Sequence, residues 1–427
     1  MELINKLFRG DRTIWVIFML LCLVSVIEVY SATSTLAYKN TNFYTPIVRH
    51  VTFLLVGFAS VLVLHHIPTK YYALAIILLP FSIILLAITP ILGLKINEAY
   101  RFVSIGGIQF QPSEFGKMAC VIFVAFMLSK KKQFSPNKTF WIILIGVSIT
   151  CILIIPENFS TAFLLFSVCL LMMFVGQVPL KHLGLLIAVL VVVGGFTFAL
   201  LHFTPDETAQ DKFNNRMLTM KRRIDDHFNK DSSASKYVIN DDNFQVAHAK
   251  IAIARGGIIG KLPGRSVQRD FLPQAYSDFI YAIIIEEMGL IIGGIGVLML
   301  YVILLFRVAI IARRCEKLFP KYLVLGCGLL IVIQAFINMA VAVNLIPVTG
   351  QPLPLISRGC TSTMLTCFYF GIILSVSRFG AGMDKEDDLP EGEKTMDIAV
   401  LSEEENEMDQ TEVAFKLLDS KMEEENI

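Results

Sequence analysis

Three acidic residues lie in one stretch of the sequence that is otherwise strongly apolar. Asp278 stands near the start of "SDFIYAIIIEEMGL", and Glu286 and Glu287 lie inside its hydrophobic part. An unpaired charge at the centre of a membrane helix costs about 2.5–3.5 kcal/mol even on lenient insertion scales. Such residues therefore mark candidate functional sites, although a structural role, pairing within a helix bundle, is favoured for Glu286 and Glu287.

A second charged motif opens another apolar segment, "QPSEFGKMACVIF". Pro112 suits the first turn of a helix, where its missing N–H costs nothing, so Glu114 and Lys117 fall three residues apart on one helical face. Two interpretations are open at this point. The pair is either a structural ion pair at the membrane edge or part of a site, since charged pairs within membrane segments often mark one.

A basic, glycine-rich loop, "ARGGIIGKLPGRSVQRDFLPQ", precedes Asp278. Its cations are interleaved with glycines and are Arg255, Lys261, Arg265 and Arg269. Glycines let the backbone approach a ligand closely, and N–H groups and cations bind phosphate oxygens. A carboxylate beside such a loop predicts chemistry on a phosphorylated substrate. The alternative is that Asp278, or Ser277 before it, only caps the following helix.

The composition of the chain predicts the kind of secondary structure that positions these residues. Of the 427 residues, 55% are hydrophobic and 17% are charged, and the mean hydropathy is +0.65. In a typical soluble protein about a quarter of the residues are charged. Apolar runs of about 20 residues, long enough to cross a bilayer, recur along the chain. The sequence therefore predicts an all-α, polytopic membrane protein with about ten spans, near residues 14–33, 46–65, 71–94, 112–129, 140–156, 159–176, 181–202, 278–306, 322–343 and 354–378.

Cationic residues indicate how these spans are oriented. They cluster before the first span, between the fourth and fifth, before the seventh, and between the eighth and ninth, which all fall on the same side. By the positive-inside rule both termini are expected in the cytoplasm. The predicted organisation is a cytoplasmic N-terminus 1–13, a ten-helix membrane domain 14–383 with a large extracytoplasmic loop 203–277 between helices seven and eight, and an acidic, disordered cytoplasmic tail 384–427.

Other features narrow the chemistry. The eight cysteines show no CxxC pair and no metal-ligand spacing, so neither disulfides nor zinc is inferred, and no Walker or Rossmann glycine pattern is present. Any chemistry must then be done by residues on the helices and outer loops. The proline-rich stretch "NLIPVTGQPLPLISRGCTS", around Pro347, Gly350 and Pro354, is expected to be a broken-helix region that lines a cavity.

Taken together, these stretches resemble one family. The segments "GIQFQPSEFGKMA", "AIARGGIIGKLPGRS", "FLPQAYSDFIYAIIIEEMGLIIG" and "NLIPVTGQPLPLISRGCTS" are similar, in this order, to the signature segments of the SEDS proteins (shape, elongation, division and sporulation). These are bacterial membrane glycosyltransferases that polymerise lipid II. The resemblance runs from Trp15 to Phe379 and is greatest to the FtsW-like, division branch of the Bacteroidetes type.

The resemblance assigns expected roles to residues of this chain. The family's essential aspartate corresponds to Asp278, and the acid and lysine of its "QPSExxK" element correspond to Glu114 and Lys117, so these three are expected to be catalytic. The acidic pair of the family's "EExG" element falls on Glu286 and Glu287. Residues expected to bind substrate are Arg101, Gln111, Ser277 and the basic loop residues Arg255, Lys261, Arg265 and Arg269.

The resemblance also implies a reaction and its partners. The reaction is an inverting transfer that joins lipid II units by β-1,4 bonds and releases undecaprenyl pyrophosphate, with Asp278 as general base. No cofactor is certain; a divalent cation, Mg²⁺ or Mn²⁺, is a candidate for balancing the pyrophosphate charge, with unknown ligands. The implied partners are lipid II, a cognate class B penicillin-binding protein and other division membrane proteins at the septum of the bacterial inner membrane, and no nucleic acid.

Three alternatives stay open. The first is an elongation polymerase of the RodA kind. The second is a lipid II flippase or transporter, whose path would use the intramembrane residues Glu28, Glu286 and Lys117 and would link the two faces of the membrane. The third is a non-catalytic division scaffold, in which the loops and the acidic tail recruit partners.

Overall fold

The computed structural model describes residues 8–32, 45–92, 94–96, 99–105, 108–131, 133–188, 239, 244–272 and 277–380. Much of the predicted extracytoplasmic loop 203–277 and all of the predicted tail 384–427 lie outside the described residues. The predicted domain organisation, including the cytoplasmic placing of both ends, therefore stays a prediction.

Helices make up most of the described chain. The first six are α1 (Arg12–Ala32), α2 (Thr45–Leu64), α3 (Leu78–Leu92, preceded by the 3₁₀ helix Thr69–Ile77), α4 (Pro112–Ser129), α5 (Pro136–Ile154) and α6 (Phe159–Val175). After a helical segment at 180–188, the next described helices are α7 (Phe244–Gly256), α8 (Ile280–Gly289), α9 (Val297–Arg314), α10 (Leu318–Ala342) and α11 (Cys360–Ser375). The π-helical segment Leu290–Gly296 joins α8 to α9, and another, Val376–Gly380, follows α11.

The helices match the predicted spans closely. Eight helical runs in the described part are long and apolar enough to cross a membrane, and α6 is an apolar helix of 17 residues. The prediction of an all-α polytopic membrane protein is confirmed. The seventh predicted span, 181–202, continues outside the described residues.

Two span boundaries differ from the prediction by more than four residues. The eighth span, predicted to end at 306, continues to Arg314, and it is bent at Gly289, whose φ of +79° separates α8 from the π-helical segment. The tenth span was predicted to begin at 354, but α11 begins only at Cys360. Proline removes a backbone donor and disfavours helix in the residue before it, so Pro352 and Pro354 keep this stretch irregular.

Local capping explains several helix starts. Pro136 occupies the first turn of α5, and Asn158 caps α6 by accepting hydrogen bonds from the N–H groups of Ser160 and Thr161 at 3.0 and 3.3 Å. Asp11 precedes α1, accepts from the N–H of Ile14 at 3.1 Å and forms an ion pair with Arg307 of α9. The first and ninth helices are thereby joined at the end away from Asp278.

A small antiparallel sheet, which the sequence did not predict, leads into α4. Its strands β1 (Leu94–Ile96), β2 (Ala99–Ile105) and β3 (Ile108–Phe110) lie in the order β1-β2-β3, and Val103 of β2 pairs with Phe110 of β3. β1 and β3 have three residues each, which is too few to show an alternating pattern. The end of β3 delivers the chain directly to Gln111 and the first turn of α4.

The centre of the bundle is built from α4 and α10. α10 packs against α4, α6, α9 and α11. Within their spans 83% of α4 and 67% of α10 is buried inside the protein, against 22% of α2. Polar side chains on α4 and α10 therefore face other protein segments and not lipid.

Candidate active site

The predicted pair on α4 is present. Glu114 Oε1 lies 2.7 Å from Lys117 Nζ, and the Lys117 side chain is fully buried. Lys117 Nζ also donates to Gln334 Oε1 of α10 at 2.9 Å. A buried ammonium group needs an opposite charge and hydrogen-bond acceptors, and these two partners supply both.

Asp278 is not a helix cap. α8 begins at Ile280, and its N-cap residue, Phe279, makes no side-chain cap hydrogen bond. The capping alternative for Asp278 and Ser277 is therefore wrong, because the turn at 277–279 separates both side chains from the first N–H groups of the helix. The Ser277 hydroxyl instead donates to Asp278 Oδ1 at 2.9 Å, and Asp278 is half-buried.

The backbone around Asp278 is held from α10 and from the proline-rich stretch. Asn338 Nδ2 donates to the peptide oxygen of Asp278 at 3.0 Å and to that of Gln351 at 2.7 Å. The Ser357 hydroxyl donates to the peptide oxygen of Ser277 at 2.7 Å. Because Asn338 is only 1% exposed, these contacts are shielded from water and fix the carboxylate on a rigid base.

The proline-rich stretch is irregular and largely buried, as its sequence predicts. It receives hydrogen bonds at the peptide oxygens of Pro352, from Gln334 Nε2 at 3.0 Å, and of Pro354, from the Tyr301 hydroxyl at 2.6 Å. Gly350 has φ +69°, and a Cβ placed there would lie 3.7 Å from Asp278 Oδ2. Gly350 therefore both permits the turn and leaves space next to the carboxylate.

One helix thus connects the two charged motifs. Gln334 and Asn338 lie one turn apart on α10, where residues four apart share a face. Gln334 links Lys117 to Pro352, and Asn338 links Gln351 to Asp278. Neither residue was predicted from the sequence. Their signal was two amide side chains at a spacing of four within a helix of 25 otherwise mostly apolar residues.

Glu287 is enclosed by hydrogen-bond donors. Its carboxylate accepts from the N–H groups of Gly264 and Ser266 at 3.0 and 3.2 Å and from the Ser31 hydroxyl of α1. Arg269 Nη1 lies 4.0 Å from Glu287 Oε1 and donates to Ser31 Oγ at 2.9 Å. Glu287 therefore ties the basic loop to α1 and α8.

Glu286 binds the next turn of the same loop. It accepts from the Ser266 hydroxyl and from the N–H groups of Val267 and Gln268 at 3.4 and 3.3 Å. Both acids are essentially without solvent exposure, at 0% and 1% for Glu286 and Glu287. The three acids of the run therefore differ in their surroundings: two are buried against the loop, and Asp278 is half-buried.

The glycines of the loop serve a different purpose from the predicted one. The N–H groups of Lys261 and Leu262 donate to the peptide oxygens of Glu286 and Glu287 at 3.0 and 2.8 Å. A Cβ at Gly260 would lie 2.3 Å from the backbone nitrogen of Gly289. The prediction that these N–H groups approach a phosphate is wrong, because α8 already uses them. The glycines allow two backbones to touch.

The other residues that were predicted to bind substrate differ in their exposure and in their position in the fold. Arg255, Lys261 and Arg265 are exposed. Gln111 precedes α4, and its Nε2 donates to Ser113 Oγ at 3.1 Å. The side chain of Arg101 lies outside the described part of the chain.

Two further expectations concern ions and transport. No group of three or more His, Cys, Asp or Glu side chains suited to a metal ion occurs among the described residues, and the divalent cation stays a prediction. Of the proposed transport residues, Glu28 is fully buried and has no hydrogen-bond partner in the described part. Lys117 bonds Glu114 and Gln334, whereas Glu286 bonds the loop at 266–268.

Comparison with known proteins gives consistent matches over nearly the whole chain. The family model for FtsW, RodA and SpoVE, described as cell cycle protein, matches residues 11–381. The "Probable peptidoglycan glycosyltransferase FtsW" of Geobacter metallireducens is 30% identical over 385 residues, which cover 88% of this chain and 96% of that protein.

Two solved structures share the fold. One comes from work titled "Structural coordination of polymerization and crosslinking by a peptidoglycan synthase complex", with a TM-score of 0.63, 21% identity, and coverage of 86% of this chain and 98% of that one. The other is the rod shape determining protein RodA of Thermus thermophilus, with a TM-score of 0.60, 20% identity, and coverage of 86% and 97%.

Proposed function

This chain belongs to the FtsW/RodA/SpoVE family of cell cycle proteins, and we propose that it polymerises lipid II for the septal cell wall. It is a peptidoglycan glycosyltransferase of the membrane, like the relatives that it resembles along their whole length. The proposed mechanism rests on the position of Asp278. Its carboxylate is half-buried, its backbone is fixed by Asn338, and α10 connects it to the buried Glu114–Lys117 pair.

The proposed reaction extends a glycan strand by one disaccharide. The 4-hydroxyl of the GlcNAc of one lipid II attacks C1 of the MurNAc at the end of the growing chain. A new C1–O bond forms while the bond from C1 to the pyrophosphate oxygen breaks, and undecaprenyl pyrophosphate leaves with that electron pair. Because the α-linked group is displaced from the opposite face, the product is β-1,4-linked.

Asp278 is the proposed general base. A carboxylate within hydrogen-bond reach of the attacking hydroxyl accepts its proton as the new bond forms. The Ser277 hydroxyl occupies one position at Oδ1. Gly350, which lacks a side chain, leaves the space next to Oδ2 free of a Cβ. An acid whose peptide oxygen is also clamped keeps its position through the reaction, and such fixed geometry lowers the barrier.

Cations of the chain balance the charge of the leaving pyrophosphate. Lys261 and Arg265 are the loop cations proposed for this role, because both are exposed whereas Arg269 is already engaged by Ser31 and Glu287. Lys117 belongs to the catalytic centre with Glu114, in a dry environment where a fixed charge acts strongly. A divalent cation bound to the pyrophosphate would add to this charge balance, and no step depends on it.

The proposal also covers the partner of the enzyme and its location in the cell. A related structure comes from a complex that coordinates polymerisation and cross-linking, which supports a cognate class B penicillin-binding protein as the partner that cross-links the strands. The enzyme acts at the division septum of the inner membrane, with both termini in the cytoplasm. The prenyl chains lie between helices beside the half-buried rim of the proline-rich stretch at Pro347.

A polymerisation assay separates this function from the alternatives. The purified full chain in detergent is incubated with lipid II, and the products are separated on a gel. We expect glycan strands to form without any membrane gradient, which a flippase or a scaffold cannot produce. Binding of lipid II without strand formation, both alone and with the cross-linking partner present, would contradict the proposal.

A further inference from the structure

The helical segments that follow Asp278 do not form one straight helix. The chain bends at Gly289, whose φ is +79°, and the Tyr281 hydroxyl donates to the peptide oxygen of Gly294 at 2.9 Å, so α8 packs against the π-helical segment. The hydrocarbon core of a bilayer is about 30 Å thick. The part of the chain to compare with this thickness therefore begins after the bend, at Leu290.

The exposure of the side chains shows which part lies in the hydrocarbon. Every residue from Ile280 to Glu287 is buried in the protein. Exposed apolar side chains begin at Leu290, at 45%, continue through Ile292, at 68%, and end at Ile310, at 37%. This band spans about 30 Å, which matches the hydrocarbon thickness. The edge of the hydrocarbon on the Asp278 side is therefore near Leu290.

The basic loop meets the helix at this level. The N–H of Leu290 donates to the peptide oxygen of Gly257 at 2.9 Å, and the Leu262 N–H donates to that of Glu287 at 2.8 Å. The turn 257–262 thus lies beside the edge of the band. These hydrogen bonds also pair backbone groups that the apolar part of a bilayer could not satisfy.

The side chains of this turn are apolar and exposed. Ile258 is 64%, Ile259 is 84% and Leu262 is 59% exposed, and Ile259 is the most exposed large apolar side chain in the described part of the chain. Exposed cations flank the turn on both sides, at Arg255 and Arg265. Apolar side chains bordered by cations are typical of segments that insert at the surface of a membrane.

We propose that the turn 257–262 is a membrane anchor that inserts into the leaflet on the Asp278 side. Ile258, Ile259 and Leu262 enter the acyl region and continue the apolar band of the π-helical segment. Arg255, on the other side of the turn from Arg265, contacts the phosphate of a phospholipid headgroup. The anchor lies within a segment that its sequence places in a polar loop outside the membrane.

Nitroxide accessibility tests the depth of the turn. Single cysteines are introduced as Ile259→Cys, Ile292→Cys as the lipid reference, and Asp270→Cys, whose side chain is 57% exposed, as the water reference. Six of the seven cysteines that the structure describes are buried, and the labelled wild type gives the remaining background. The full chain is reconstituted alone in vesicles of phosphatidylcholine and phosphatidylglycerol.

The label at position 259 is expected to behave like the one at 292, accessible to oxygen and shielded from a water-soluble nickel chelate. A label at 259 that collides with the nickel chelate as freely as the one at 270 would overturn the proposal. It would show that the apolar turn faces water in the isolated protein. Neither outcome depends on polymerisation, so the proposed function is tested separately.

Discussion

The side-chain amide of Asn338 holds the peptide oxygen of Asp278, with 3.0 Å between Nδ2 and that oxygen. The same nitrogen donates to the peptide oxygen of Gln351 at 2.7 Å. Asn338 therefore sets the separation between the proposed general base and the proline-rich stretch. It touches neither carboxylate oxygen in these contacts, so it is a positioning residue.

Asn338→Leu keeps the approximate size of the side chain but removes its donor. Each peptide oxygen left unpaired costs about 1–3 kcal/mol of stability. A shift of Asp278 by about 1 Å is expected to lower kcat by roughly 10²-fold, while KM and lipid II binding change far less. Steady-state polymerisation kinetics and a separate binding measurement distinguish the two effects.

Thr363→Val is the matched control for that substitution. The Thr363 hydroxyl is buried and has no hydrogen-bond partner among the described residues. Thr363→Val therefore removes a buried polar group that takes no part in the contacts around Asp278. The kcat of this variant should stay near that of the wild type. An unchanged kcat in Asn338→Leu, or an equal loss in both variants, would exclude the positioning role.

Glu114 and Lys117 are expected to be coupled in a double-mutant cycle. Breaking one side of a buried ion pair strands a charge and costs about 3–5 kcal/mol, so Glu114→Gln and Lys117→Met should each impair polymerisation strongly. The double variant should lose less than the sum of the two in log rate, by about 0.5–3 kcal/mol. Strict additivity would count against direct pairing.

The ion pair of Asp11 with Arg307 provides the comparison for that cycle. It joins α1 to α9 away from Asp278. Asp11→Asn and Arg307→Gln are expected to lower the temperature of unfolding but to leave the polymerisation rate per folded molecule nearly unchanged. Thermal unfolding and rate are measured on the same preparations. A loss of rate equal to that of the α4 variants would show that any damaged ion pair stops the enzyme.

Gly260→Ala is expected to destabilise the protein more than Gly257→Ala. Both positions have positive φ, at +86° and +56°, so both substitutions bear the cost of a left-handed backbone, about 1–2 kcal/mol. Only at Gly260 would the new Cβ also meet the backbone of Gly289, at 2.3 Å, whereas Gly257 has nothing within 4 Å.

Overpacking typically lowers the free energy of unfolding by about 1–3 kcal/mol. The extra overlap at Gly260 should add a loss of this size. The unfolding temperature in detergent measures the difference. Equal shifts in the two variants would show that the loop does not pack against the α8 backbone as described.

Truncation after Met383 is expected to leave the membrane enzyme intact. The removed segment is acidic and poor in apolar residues, which is typical of chains that do not pack into a core. Polymerisation in vitro and the unfolding temperature should stay near wild type, while recruitment in cells weakens. A truncated chain that no longer inserts or folds would show that the tail belongs to the core.

The sequence predicted the features that depend on local pattern. Apolar runs of membrane length gave the spans, and a spacing of three residues gave the Glu114–Lys117 pair, because each follows from the geometry of a helix alone. The proline content of the stretch around Pro347 likewise predicted an irregular backbone. These properties need no knowledge of which helices are neighbours.

Other features depend on contacts between distant segments. Gln334 and Asn338 gain their importance from the segments opposite α10, and a sequence pattern does not contain that information. The glycines near Gly260 were assigned to a ligand, but their neighbour is the backbone of α8. A pattern of glycines predicts a close approach without indicating what approaches.

The central claim is that Asp278 accepts the proton of the attacking hydroxyl. Asp278→Asn keeps the size of the side chain and an oxygen for the Ser277 hydroxyl, but an amide does not act as the base. Base catalysis contributes about 10²–10⁴ in rate. Purified wild type and Asp278→Asn are compared on lipid II, with glycan length followed on a gel and lipid II binding measured separately. Strand formation is expected to fall by at least about 10²-fold with binding retained, and near-normal glycan strands from the Asn variant would show that Asp278 is not the base.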